Sequence, residues 1–243
     1  MLTKSVLITG ASRGIGRACA ISFSQAGYLT FINCRKSLDE IQLVKNEILD
    51  SGGQCNIVIG DVSNPLDVKY IFQQIESICL GLDVLVNNAG ISYVGLLSEM
   101  TDSQWDNLIS TNLSSAFYCS KAAIPHMVKE KRGKIINISS IWGNVGASCE
   151  VAYSASKSGL NGLTKALAKE LAPSNIQVNA ISCGVIDTNM NDYLSDEERI
   201  SLIKAIPASR LGTANEVATL ALNLAENHPY LTGQIISLDG GLI

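Results

Sequence analysis

A chain of 243 residues, 47% hydrophobic and only 16% charged, suits a sheet buried on both faces, and no linker, low-complexity tract or internal repeat divides it. Its formal net charge of −4 excludes a global basic field for nucleic acid or anionic lipid, and no apolar run reaches the length of a membrane span. One soluble, cytoplasmic domain over residues 1–243 is expected, with a small or locally recognised partner; the seven cysteines are widely spaced, form no C-x-x-C pair, and read as reduced buried thiols with no metal site.

The first apolar run, Ser5 to Thr9, ends in a glycine-rich turn, Thr9-Gly10-Ala11-Ser12-Arg13-Gly14-Ile15-Gly16, and a helical pattern follows to about Gln25. A strand, a glycine turn and a helix in that order present backbone N–H groups and a positive helix end to a pyrophosphate. Gly10 permits the tight turn, Gly14 the close approach of phosphates and Gly16 the packing of helix on strand. A plain strand-to-helix turn is the simpler alternative.

Further apolar runs at about 28–34, 55–60, 82–86, 133–139, 175–181 and 234–238 alternate with amphipathic segments at about 37–51, 65–79, 103–130, 151–172 and 214–226. The alternation predicts an α/β fold: a doubly wound, seven-stranded parallel sheet with helices on both faces. Ligands of such sheets bind beyond the carboxyl ends of the strands. After the second strand stand Arg35 and Lys36, with no acid; a basic pair there suits a ribose 2′-phosphate, hence NADP(H) over NAD. Asp61 and Val62 follow the third strand, where they would meet an adenine or where Asp61 would cap the next helix. Asn88, Ala89 and Gly90, after Asn87, follow the fourth, either lining a cofactor cleft or making a turn. Asn112 falls inside a helix, where asparagine is a poor helix former, which implies a partner for its amide.

The most informative stretch is Ser140 to Lys157. A serine ends an apolar strand, and Tyr153 and Lys157, four residues apart, share one helix face. An ammonium one turn away favours the phenolate, and so fits the tyrosine for proton transfer. The bland alternative has Ser140 capping a helix, Tyr153 packing and Lys157 solvated.

Taken together and in order, the turn Thr9–Gly16, Asn87–Gly90, Asn112, Ser140 and Tyr153-x-x-x-Lys157 resemble the short-chain dehydrogenases/reductases along essentially the whole chain. The greatest resemblance is to bacterial 3-oxoacyl-acyl carrier protein reductases, through Thr111–Ser115, Ile206–Gly212, Leu231–Gln234 and Asp239–Gly241. The resemblance implies a Rossmann-type fold and NADPH-dependent reduction of a ketone, of the fatty acid biosynthesis type. It makes Tyr153 the general acid, Lys157 its partner and a holder of the nicotinamide ribose, Ser140 the group that orients the carbonyl, and Asn112 the holder of a water connecting Lys157 to solvent. It also implies a homotetramer, with the helices around 103–130 and 151–172 pairing across subunits. Gly184, Ile186 and Thr188 would contact the nicotinamide carboxamide, and residues 189–211 would form a lid over the substrate.

The chain departs from that pattern at several places. Cys183 replaces a proline before Gly184 and reads as a packing residue, not a nucleophile. Glu150 stands where glutamine is usual; with Trp142 it is a candidate substrate residue, and its carboxylate favours a substrate bearing an amine. Ser139–Gly143 with Gly146–Val151 is similar to a subgroup that reduces a 5-aminopentanone group on elongation factor P. For carrier-protein docking near the active-site entrance the chain offers Lys131 and Arg132, but Asn175 in place of a second arginine. A dinucleotide-binding regulator without catalysis is the alternative of another class, disfavoured because all four catalytic positions are filled.

Overall fold

The computed structural model describes residues 4–192 and 194–243; the residues before Lys4, and Tyr193 within the expected lid, lie outside the described residues. The strands are β1 Ser5–Ile8, β2 Leu29–Cys34, β3 Gln54–Ile59, β4 Val84–Asn87, β5 Gly133–Ser140, β6 Ile176–Cys183, β7 Ile186–Asp187, β8 Gly212–Thr213 and β9 Ile235–Leu238. The helices are α1 Gly14–Gln25, α2 Leu38–Asp50, α3 Pro65–Ile78, α4 Asp102–Ile109, α5 Ser115–Glu130, α6 Trp142–Val145, α7 Val151–Leu171, α8 Asp196–Ala205 and α9 Ala214–Glu226.

Seven strands form one parallel sheet in the order β3-β2-β1-β4-β5-β6-β9. The order reverses between β1 and β4, so the carboxyl ends of those two strands open the crevice in which a doubly wound sheet binds its ligand. Successive strand residues alternate between two cores. Val6, Ile8, Ile136 and Ile138 join α1, α2 and α9 through Phe23, Ile41, Val44 and Leu224. Leu7, Leu85, Ile135 and Val178 join α3, α5 and α7 through Ile71, Met127 and Leu171. With both faces covered, the strands must be apolar throughout, which is why their runs show no polar alternation. Each fully buried Leu, Ile or Phe in these cores contributes roughly 1.5–3 kcal/mol of transfer free energy.

Helix α7 covers the sheet in part through polar rungs that bind it to β5. Asn137 Nδ2 donates to Thr164 Oγ1 at 2.8 Å, Ser139 Oγ to Asn161 Oδ1 at 2.6 Å, and Lys157 Nζ to the Ile138 carbonyl at 2.8 Å. Thr164, Asn161 and Lys157 recur at helical spacing, so one stripe of α7 faces the sheet through hydrogen bonds.

Three features differ from the sequence expectation. The segment 103–130 is not one helix: a π turn at Ser110–Ser114 separates α4 from α5, inserting the extra residue that aims Asn112 inward. The short helix α6 lies between β5 and α7. Finally, β7 and β8 pair in a separate two-stranded sheet that frames the segment carrying α8.

Candidate active site

Tyr153 and Lys157 are buried on α7, beside the carboxyl end of β5. Ser140 is the last residue of β5; its side chain hydrogen-bonds Tyr153, and its Oγ accepts from Trp142 N at 3.2 Å. Ser140 therefore both accepts from the first N–H of α6 and faces the phenol. Lys157 Nζ lies 5.5 Å from the Tyr153 ring centroid. Asn112 closes the group: a Cβ built on Gly90 would stand 3.4 Å from Asn112 Oδ1 and 3.7 Å from Lys157 Nζ.

Burial dominates the titration of the pair. It pushes the Tyr153 hydroxyl above the ordinary tyrosine range, against the lowering hydrogen bond from Ser140, while Cys183 and Glu150 raise it further. Burial also lowers Lys157 to about 8, with Cys183 opposing. The expectation that Lys157 would draw the phenol pKa down is thus corrected: burial is the largest influence on the phenol, the hydrogen bond from Ser140 is what lowers it, and the tyrosine is held as a proton donor. Cys183 is buried and pushed up to about 12 by that burial, so its thiol stays neutral. With cysteine where a proline is usual, β6 runs through residue 183, in register with Ser140 and Leu238, and the Cys183 carbonyl accepts from Ile141 N at 2.9 Å.

The amide of Asn112 has found its partners. Its Oδ1 accepts from Ile91 N at 2.8 Å, and its Nδ2 donates to the Ile91 carbonyl at 2.8 Å and to Ser156 Oγ at 3.1 Å. The side chain is thereby committed to bracing the segment after β4, so a water attached at this residue would be held by the main chain.

The glycine turn lies between the ends of β1 and β4. Gly10 and Gly14 adopt φ of +63° and +54°, open to glycine at little cost, and a Cβ on Gly16 would collide with the Gly10 carbonyl and the Asn88 side chain. Asn88 Nδ2 donates to the carbonyls of Thr9 and Gly10 at 2.9 and 3.0 Å, while Thr9 Oγ1 accepts from the N–H groups of Asn88 and Ala89 at 3.0 Å each. Asn88 and Ala89 thus brace the turn, and Thr9, which the motif reading passed over, is the hub of that brace. Arg13 is the extended N-cap of α1 and provides no side-chain cap, and no acid occupies the first turn, in contrast to α3, α4, α8 and α9, which Asn64, Thr101, Ser195 and Thr213 cap. The first N–H groups of α1 are left to an anion. Thr188 stands over this turn, its Cγ2 3.4 Å from where a Cβ of Gly14 would lie. Ser12 and Ile15 are half-buried along the same turn, and Gly184 packs so closely on Asp239 that a Cβ would stand 2.6 Å from Asp239 Cα. Ile186 is buried, and its carbonyl accepts from Asn191 Nδ2 at 2.7 Å.

Arg35 and Lys36 are exposed beyond β2, and Arg35 NH1 pairs with Asp61 Oδ2 at 3.2 Å. Asp61 does not cap α3; Asn64 does. Burial alone would raise Asp61, but hydrogen bonds from the Ser63 hydroxyl and N–H, together with Arg35, hold its carboxyl below the usual value. The Val62 side chain is buried in the core on the α3 face. Glycine turn, free helix end and basic pair form a donor set that fits a phosphorylated dinucleotide.

Trp142 packs beside Tyr153, Leu108 and Ala152, and its side chain hydrogen-bonds the Glu150 carboxylate, which burial pushes up. Lys131, Arg132 and Asn175 lie at the amino ends of β5 and β6. That is the far end of the sheet, roughly 23 Å from Ser140 at about 3.3 Å per strand residue. The expectation of basic docking residues at this chain's own active-site entrance is corrected: both positions precede their strands. Arg132 moreover pairs with Asp83 at 3.1 Å, and Asn175 Nδ2 donates to the Lys131 carbonyl at 3.0 Å.

Residues 4–199 match the family model for short chain dehydrogenase. The chain belongs to the short-chain dehydrogenase family. This short-chain dehydrogenase is 40% identical over 242 residues to the 3-oxoacyl-[acyl-carrier-protein] reductase FabG of Staphylococcus aureus (strain N315), covering 99% of this chain and 98% of the relative. The same-named reductase of Escherichia coli (strain K12) is 38% identical over 240 residues, covering 98% and 97%. The crystal structure of a proposed gluconate dehydrogenase from Agrobacterium tumefaciens superposes with a TM-score of 0.95 at 33% identity, covering 98% of this chain and 95% of that one. The short-chain dehydrogenase described here is therefore an oxidoreductase that acts on a carbonyl group with a nicotinamide dinucleotide.

Proposed function

We propose that the chain reduces the ketone of a 3-oxoacyl group borne on acyl carrier protein, using NADPH. The observation that carries this reading is the convergence of Ser140, Tyr153, Lys157 and Asn112 on one crevice edge, in a chain whose relatives are named as reductases of that substrate. The nicotinamide, when bound, supplies the hydride. Ser140 donates a hydrogen bond to the carbonyl oxygen and stabilises the charge that develops there. Tyr153, kept protonated by burial, gives its proton to that oxygen. Lys157 fixes the phenol and the ribose. Arg35, Lys36 and Arg13 support the choice of NADPH, since a guanidinium binds phosphate bidentately. On this reading Arg35→Ala lowers kcat/KM with NADPH by roughly tenfold to a hundredfold and leaves NADH turnover unchanged; equal use of both dinucleotides by the wild type would refute the preference.

The proposal also includes residues 189–211, with α8, as the substrate lid, set between β7 and β8. The half-exposed apolar side chains of Trp105, Phe117 and Val151 on α4, α5 and α7 support pairing of these helices in a homotetramer. All seven cysteines are free thiols, which suits the reducing cytoplasm.

One observation favours a second substrate. Glu150, half-buried beside Tyr153 and held by Trp142, puts a carboxylate at the pocket edge, suited to a ketone bearing an amine, such as 5-aminopentanone on elongation factor P. Turnover of acetoacetyl-acyl carrier protein and of the aminopentanone-modified protein, by wild type and Glu150→Gln, separates the two. The carrier reading predicts that the first substrate is preferred and that Glu150→Gln leaves it unharmed. Preference for the second, abolished in Glu150→Gln, would overturn it.

A further inference from the structure

Behind the reacting groups runs a chain of side chains that the chemistry does not use. Ser139 Oγ, next to Ser140 on β5, donates to Asn161 Oδ1 at 2.6 Å. Asn161 Nδ2, one turn beyond Lys157 on α7, donates to Asn144 Oδ1 at 2.9 Å. Asn144 Nδ2, on α6, donates in turn to Ser182 Oγ at 2.9 Å, next to Cys183 on β6. Three hydrogen bonds thus join β5, α7, α6 and β6, and Ser139, Asn161 and Ser182 are buried. Each amide accepts at its oxygen and donates at its nitrogen, so turning either one alone would set like groups face to face. The chain holds or fails as a unit.

Helix α6 is the element that depends on it. A single turn of four residues has no stability of its own and must be held from outside. Gly143 lies directly on α7, where a Cβ would stand 2.9 Å from Lys157 Cβ; Ser158 Oγ donates to the Gly143 carbonyl at 2.9 Å, and Ala147 N donates to Ser154 Oγ at 3.1 Å. At the start of α6, Trp142 packs on Tyr153 and its N–H bonds Ser140 Oγ. Displacing α6 therefore displaces both the wall and the hydroxyl that face the phenol.

We propose that Asn161 and Asn144 are positioning residues for carbonyl reduction, setting through α6 the place of Trp142 and Ser140 against Tyr153. The proposal rests on the reading of Ser140, Tyr153 and Trp142 as reacting and substrate-facing groups. A merely structural role would lower thermal stability alone.

The test uses a Trp105→Phe background, in which Trp142 is the remaining one of the two tryptophans and its fluorescence reports α6. Asn144→Ala, Asn161→Ala and the double variant are compared with Asn144→Asp. The aspartate restores the chain, because it accepts from Asn161 Nδ2 and from the Ser182 hydroxyl, and residue 144 is itself exposed. The alanine variants are expected to shift Trp142 emission to the red and to lower kcat/KM for the ketone by about tenfold to a hundredfold, with NADPH affinity unchanged. The double variant should be no worse than the worse single one, and Asn144→Asp should recover both readouts. Unchanged emission and kinetics with only a lowered Tm, additive losses in the double variant, or an aspartate no better than alanine would overturn the proposal. Fluorescence is read without substrate, so a wild type inert towards ketones would count against the functional reading alone, and the emission of Asn144→Ala would still decide the positional link.

Discussion

Among the described residues no carboxylate pairs with the buried ammonium of Lys157, and that has a consequence for stability. Its folded pKa, about 8, lies below the ordinary lysine value of 10.5, so between these limits the unfolded chain binds the extra proton. Stability contributed at this residue therefore rises with pH across that window, by an amount of about 3 kcal/mol. Wild type minus Lys157→Met should show this rise in denaturant unfolding between pH 8 and 10.5; parallel curves would mean that the lysine is solvated. Tyr153 makes the complementary case. If it donates the proton, Tyr153→Phe loses about a hundredfold to ten-thousandfold in kcat and keeps its dinucleotide affinity. At this scale the spacing already conveyed the geometry, since Tyr and Lys four apart on a helix meet one face whatever surrounds them. The sign of the phenol shift was not legible, because desolvation depends on how deeply α7 is packed against β5, which no local pattern records.

Among the elements, the break between α4 and α5 carries the most information. Asn112 reaches Ile91 only because the π turn rotates it off the regular helical stripe, and its two bonds to Ile91 satisfy main-chain groups just past β4. Replacement by leucine should leave a part-buried N–H and C=O without their amide partner and lower stability by about 2–4 kcal/mol, measured by urea unfolding; a change below about 1 kcal/mol would show that water replaces the amide. Gly16→Ala should weaken dinucleotide binding while the chain stays folded, since the added methyl pushes α1 off Gly10 and Asn88. Full affinity in that variant would refute the close packing assigned to the turn. The poor helix propensity of Asn112 signalled a special partner, whereas the π turn and α6 left no mark: both owe their shape to contacts distant in sequence, Asn112 with Ile91 and Asn144 with Ser182. Asn88 was legible as part of the crevice but not as a brace, because its acceptors belong to the turn after β1, distant in sequence.

For the molecule as a whole, seven apolar runs alternating with amphipathic segments sufficed to give the parallel sheet and its two covers, because burial on both faces leaves strands apolar throughout. Assembly and docking are of a different kind, lying on surfaces that the internal pattern does not constrain. Lys131 and Arg132 show this, since residues that suggested an entrance stand at the opposite end of the sheet from Tyr153. A homotetramer built on α4, α5 and α7 predicts that Phe117→Lys lowers the mass measured by light scattering from four chains to fewer; an unchanged mass would place the interface elsewhere. The central claim, ketone reduction at Tyr153 with NADPH, is tested most directly by following NADPH oxidation with acetoacetyl-acyl carrier protein for wild type and Tyr153→Phe side by side. Turnover by the wild type, with at least about a hundredfold loss in the variant at unchanged NADPH affinity, is the predicted result; a wild type that leaves NADPH unoxidised, or a variant that turns over at its rate, would contradict it.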